Sequence, residues 1–116
     1  TFVPPTAIEV SNIDVIGGEH FGAIMHVLRY RSQDLDSLID SINATGYGLT
    51  MGIHSRIEAA ADRIERRALV GNTYINRNQI GAVVNVQPFG GTGLSGTGPK
   101  AGGPHYMARL MQWQAK

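Results

Sequence analysis

Two short stretches of the chain combine residue types that could bind a ligand. In Glu19-His20-Phe21-Gly22 a carboxylate stands beside an aromatic ring, just ahead of an apolar run. An ionised glutamate can accept two hydrogen bonds from a vicinal diol such as a ribose, and a phenyl ring can cover the apolar face of whatever lies next to it. Ile80-Gly81-Ala82-Val83 carries no charged side chain. A loop of this kind can turn bare backbone N–H groups toward an anion. Each stretch is weak alone, because most glutamates are merely solvated and most glycines merely permit a turn.

Other patterns fail the tests their chemistry sets. Gly91-Thr92-Gly93-Leu94-Ser95-Gly96 spells G-x-G-x-x-G. A dinucleotide fingerprint also needs a preceding strand, a helix opening on it, and an acid about 20 residues later. Thr97-Gly98-Pro99 follows instead, and no acid lies downstream. Gly98-Pro99-Lys100-Ala101 lacks the Gly-Lys-Ser/Thr of a Walker loop. These glycines are therefore expected to serve tight turns and close backbone contacts. Ser95 departs from G-x-S-x-G because Thr97 takes the last position, and no acid follows to complete a hydrolase triad. His20, His26, His54 and His105 lack the spacing of a metal pair on one helix, and His26 is expected to be packed or solvated. The chain has no cysteine, so it has no disulfide, thiolate metal site or cysteine nucleophile. No catalytic residue and no metal ligand is assigned.

The elements that would carry these residues follow from periodicity. Residues 1–22 read as irregular, with Pro4-Pro5 and Gly17-Gly18 as breaks. Residues 24–30 (IMHVLRY) read as a strand. Ser32 is a candidate N-cap, Leu35, Leu38, Ile39 and Ile42 mark one helix face, and Gly46 is placed to end that helix in a left-handed conformation. Residues 47–54 form a second strand candidate weakened by two glycines. Ser55-Arg56-Ile57-Glu58 has the capping-box pattern, with Ile57, Ala60, Ala61 and Ile64 as a buried stripe and Gly71 as the closing residue. A third strand is predicted over 72–76. This alternation predicts an α/β fold, an open and largely parallel sheet with flanking helices. Two helices and three short strands cannot cover both faces of such a sheet, so the chain reads as part of a larger unit. Residues 106–113 (YMARLMQW) suit either a strand or a short helix that needs a partner surface.

Composition sets the remaining bounds. The 116 residues are 42% hydrophobic and 16% charged, which suits a folded domain and argues against whole-chain disorder. No apolar run reaches the roughly 18–20 residues of a membrane helix, and residues 1–5 do not resemble a signal peptide. A cytoplasmic location is expected. All nine acids lie at or before Glu65, whereas residues 66–116 hold six basic side chains and no acid. Those bases are dispersed and lack an aromatic-rich RNA motif, so no nucleic-acid partner is expected; an acidic surface elsewhere should neutralise them. Residues 78–99 hold no formal charge at all. A stretch of that length and polarity should be packed against something or line a site.

Taken together, EHFG (19–22), INATGYGLTMGIHSRI (42–57), GNTYINRN (71–78) and GAVVNVQPFGGTGLSGTGPKAGGP (81–104) resemble the C-terminal portion of the aldehyde dehydrogenase superfamily. The likeness runs over nearly the whole chain. PFGG followed by SG marks the superfamily. GTGPKAGGP marks the 1-pyrroline-5-carboxylate (L-glutamate γ-semialdehyde) dehydrogenase branch, closest to the dehydrogenase part of bacterial bifunctional proline-utilisation proteins. The resemblance implies that residues 1–105 are the end of a catalytic domain and that 106–116 are a terminal oligomerisation strand and tail, so a homo-oligomer is expected.

The same resemblance implies roles. Glu19 would bind the nicotinamide ribose of NAD and Phe21 would pack beside the nicotinamide. Gly81 and Ala82 would anchor the substrate carboxylate through backbone N–H groups, and Phe89 would wall the aldehyde tunnel. L-Glutamate γ-semialdehyde would be oxidised to L-glutamate by a cysteine nucleophile lying outside these 116 residues, so the segment alone should be inactive. FAD would be involved only if the parent also carried a proline dehydrogenase domain. Two departures stand out. His20 replaces a usual β-branched residue, and Ala23 replaces a usual proline, which leaves the turn less rigid and Glu19 less firmly positioned; Gly17-Gly18 also replaces a more helical or charged approach, which loosens the entry. The alternative is a non-catalytic oligomerisation or interaction module derived from the same fold.

Overall fold

A computed structural model describes residues 2–114. Its centre is a strand–helix–strand unit. Strand β4 (Thr50–Ile53) leads into helix α2 (Glu58–Arg67), which returns the chain to strand β5 (Asn72–Ile75), parallel to β4 with Ile53 opposite Ile75. A crossover helix is what a parallel pair requires, because a tight turn can join only antiparallel strands. Helix α1 (Leu35–Ala44) packs beside α2, and Ile39, Ile53, Ala61 and Tyr74 form the buried core. Ile39 comes from the predicted apolar face of α1 and Ala61 from that of α2. Gly46 has φ +77, so it ends α1 in the left-handed conformation expected of it.

Around this unit the predicted single sheet is resolved into separate pairs. Strand β1 (Thr6–Val10) pairs in parallel with β2 (Ile24–Leu28), and β3 (Tyr47–Gly48) pairs antiparallel with β6 (Thr92–Gly93). Among the described residues β2 is not hydrogen-bonded to β4, so the α/β class holds while the sheet is discontinuous. Strand β1 lies in the region predicted to be irregular. Its Thr, Ile and Val favour a strand, and the neighbouring prolines had masked that signal.

Other predictions are corrected. Ser32 does not cap α1, because a 3-10 turn at Ser32–Asp34 precedes the helix. Residues 47–54 make two short strands, since the chain at Gly48 turns to pair with β6. The capping box at 55–58 does not form. The Ser55 hydroxyl accepts from the Ile57 N–H at 3.0 Å, one residue short of Glu58, and Ile57 is left extended and exposed outside the helix. Helix α2 ends at Arg67, before Gly71. The implied terminal oligomerisation strand is instead helix α3 (Tyr106–Gln114). Met, Ala, Arg, Leu and Gln are strong helix formers, and no strand within the described residues pairs with this segment. Residues 115–116 of the expected tail lie outside the described residues.

Candidate functional site

The uncharged stretch is built as a loop held against β5. Ile80 N–H donates to Asn78 Oδ1 at 2.7 Å, starting a turn that continues through Gly81 at φ +64. In a turn of this kind successive N–H groups can point to one side. Among the described residues neither the Gly81 nor the Ala82 N–H is donated to any protein acceptor. Val83 C=O then accepts from Val86 N–H at 3.0 Å across a turn in which Asn85 takes φ +66, a conformation asparagine tolerates better than most residues.

Beyond that turn the chain runs back along β5. Period-two alternation puts Asn72 and Tyr74 on one side of this strand. The Gln87 amide donates to the Tyr74 hydroxyl at 2.7 Å. Asn72 Nδ2 donates to Pro88 O at 2.9 Å, and Gly90 N–H donates to Asn72 Oδ1 at 3.3 Å. Phe89 is paired in turn with Ala101, by N–H to O at 3.1 Å and by the reverse bond at 2.8 Å. Residues 82–89, Ala101 and Gly102 line a cavity of ≈ 520 Å³ with no formal charge on its lining. Ala82 and Phe89 are thereby brought together, whereas Gly81, the next residue before Ala82, does not line the cavity.

Glu19 lies in a different place. It lines a cleft of about 640 Å³ with Gly17, Gly18, Thr45, Tyr47 and Ser95, among others. Phe21 lines neither cavity, and its ring is 88% exposed. Among the described residues Glu19 makes no ion pair, so both carboxylate oxygens can accept from a ligand. An open carboxylate of this kind can accept two hydrogen bonds from a ligand diol. The approach to Glu19 is less loose than its glycines suggest. His20 Nε2 is 2.8 Å from Ile16 O, and that carbonyl accepts when the proton is on Nε2. The His20 ring also lies 5.8 Å from that of His26, which is half-buried in β2.

The glycines of 91–96 do the packing work expected of them. Gly91 is buried, and a Cβ there would fall 2.7 Å from Ser95 O and 2.9 Å from Gly48 O. A Cβ on Gly71 would overlap the Gly90 carbonyl. Ser95 Oγ accepts from Gly48 N–H at 3.0 Å, a structural bond with no hydrolytic partner. No group of three or more metal-ligating side chains exists among the described residues. Sequence reasoning missed Asn72, Tyr74 and Gln87. The available signal was an asparagine at the start of a strand, where that residue is disfavoured unless its side chain has a bond to make.

Comparison with known proteins agrees with this architecture. The aldehyde dehydrogenase family profile matches residues 1–116. The chain is 60% identical over 111 residues to the bifunctional protein PutA of Rhizobium meliloti, covering 96% of this chain and 9% of that protein. It is 40% identical over 115 residues to 1-pyrroline-5-carboxylate dehydrogenase 1 of Halalkalibacterium halodurans, covering 96% and 22%. Among solved structures, proline utilization A of Bradyrhizobium japonicum superposes with TM-score 0.84 at 57% identity, covering 90% of this chain and 11% of that one. A Thermus 1-pyrroline-5-carboxylate dehydrogenase with bound NAD superposes with TM-score 0.79 at 39% identity, covering 92% and 21%. The chain thus spans about a tenth to a fifth of the length of these relatives. With its full length matched and its fold shared, the chain belongs to the aldehyde dehydrogenase family.

Proposed function

We propose that these residues form part of an NAD-dependent L-glutamate γ-semialdehyde (1-pyrroline-5-carboxylate) dehydrogenase of proline catabolism, acting in the cytoplasm. The observation that carries this reading is the uncharged cavity at 82–89, beside which the N–H groups of Gly81 and Ala82 have no acceptor among the described residues. Such donors hold a carboxylate without placing a cation in the pocket, and they are worth more where water is excluded. The substrate carboxylate would accept from Gly81 and Ala82 while Phe89 walls its carbon chain. Glu19 would accept hydrogen bonds from the nicotinamide ribose, with Phe21 against the ring. Bound NAD supplies the hydride acceptor. The cysteine nucleophile comes from outside this sequence, and FAD enters only where a proline dehydrogenase domain accompanies the parent.

The test is to exchange this segment for the matched 111 residues of Rhizobium meliloti PutA. NADH formation from the semialdehyde is expected of the hybrid, and none from the 116-residue chain by itself. Loss of semialdehyde oxidation in a folded hybrid, or turnover by the isolated chain, would overturn the reading. We also infer a homo-oligomeric parent. Support comes from α3, whose Met107, Leu110 and Met111 share one face and are all at least half exposed.

A further inference from the structure

We propose that Asn72 is the residue that positions Phe89, gripping the backbone on both sides of it with one side-chain carboxamide. The inference rests on the reading of Phe89 as a wall of the substrate tunnel. Its geometric part stands independently. Pro88 has no N–H, so its only backbone hydrogen-bonding group is its carbonyl, and that carbonyl accepts from Asn72 Nδ2. The next free donor, Gly90 N–H, goes to Asn72 Oδ1. The N–H and C=O of Phe89 itself are both used by Ala101. Four hydrogen bonds therefore define the peptide planes on either side of one aromatic residue. With those planes fixed, the Cα–Cβ direction is fixed, and the ring keeps only its own two side-chain torsions.

The residue type is dictated by the task. A carboxamide offers a donor and an acceptor side by side, which is what a strand edge offers across a β-bridge. Asn72 thus substitutes for a strand that is not there. Serine lacks the span, leucine lacks the polarity, and aspartate would set a carboxylate against the Pro88 carbonyl. Tyr74, two residues along the same face, extends the grip by taking the Gln87 amide. Asn43 uses the same device elsewhere: it donates to Arg67 O at 2.9 Å and accepts from Leu69 N–H at 2.8 Å, straddling Ala68.

The test uses the full-length hybrid carrying this segment. Asn72→Ala is expected to raise KM for the semialdehyde about tenfold, the scale of two lost hydrogen bonds, with KM for NAD unchanged. In a Phe89→Ala background the same substitution is expected to have no further effect on KM, because the group it positions is gone. An equal rise in both backgrounds, or an equal rise for NAD, would overturn the proposal. Asn72→Asp, which keeps the volume and the Gly90 contact but sets two acceptors against each other at the Pro88 carbonyl, is expected to raise KM for the semialdehyde at least as far as Asn72→Ala, and an unchanged KM would overturn the proposal. Deuterium exchange supplies a readout independent of activity. The peptide containing Phe89 and Gly90 should exchange faster in Asn72→Ala while β4 is unchanged, and unaltered exchange at 89–90 would defeat the positioning role. If the unsubstituted hybrid fails to oxidise the semialdehyde, the proposed function falls and the exchange measurement still decides the role of Asn72.

Discussion

At Glu19 an exposed carboxylate follows two glycines and is steadied by the neighbouring His20, whose ring is tied to the Ile16 carbonyl. Because no ion pair among the described residues competes for its oxygens, replacing one oxygen should show directly in cofactor affinity. Glu19→Gln in the full-length hybrid is expected to raise KM for NAD about tenfold, the scale of a lost charge-assisted hydrogen bond, with KM for the semialdehyde unchanged. Steady-state kinetics with each substrate varied in turn would check it, and an equal change in both would point to general damage. Residue type made Glu19 and Gly81 visible in the sequence, because a diol acceptor and a bare N–H donor are local properties. Phe89 was legible only through family likeness. Asn72 was not legible as a site residue at all, since its partners lie 16 and 18 residues away and no short-range pattern encodes them.

Helices α1 and α2 are joined by ion pairs as well as by Ile39 and Ala61. Arg63 Nε donates to Asp36 Oδ1 at 2.8 Å, and Arg67 reaches both Asp36 and Asp40. Arg66 and Arg67 belong to the basic half of the sequence, so acids from the first half neutralise them as expected. The hydrogen bond from Arg63 holds the Asp36 carboxyl below its ordinary value of 3.8, despite some opposing desolvation. A depressed carboxyl contributes stability that is present above its unfolded-state pKa and disappears as pH falls through the folded value. Asp36→Asn is therefore expected to lower the stability of the α1–α2 pair at neutral pH, modestly because the groups are solvated, and to make no difference in acid below the lowered folded value. Helical circular dichroism under urea at the two pH values would measure this, and a difference that persists in acid would count against the ion pair. Both helices were legible from their apolar periodicity, which packing enforces. Their starts were less so, because the Ser55 hydroxyl satisfied a nearer N–H than the capping box required. Residues 106–114 show the limit of analogy: local helix propensity prevails where no strand is present to pair with.

The chain as a whole is open. Its radius of gyration is 16.6 Å, against about 13 Å for a compact domain of this length, and its described core holds only four buried apolar side chains. Many large apolar residues, among them Ile8, Met25, Leu49 and Leu110, are exposed. Surface of this kind is ordinarily covered by further protein, which supports the proposal that the apolar face of α3 serves assembly. The full-length hybrid is expected to show an oligomeric mass by light scattering, and Met107→Asp to shift it toward the monomer; a monomeric hybrid at high concentration would remove the assembly role. No helix among the described residues is long and apolar enough to cross a membrane. The strand–helix–strand unit closes through neighbouring segments, whereas the loop at 87–90 is fastened to β5 by side chains alone. A fastening without a continuous ladder can release without disturbing the strands beneath it, so the uncharged cavity at 82–89 should be the first region to breathe open. Substrate capture and product escape would then draw on a local fluctuation, while the scaffold below stays intact.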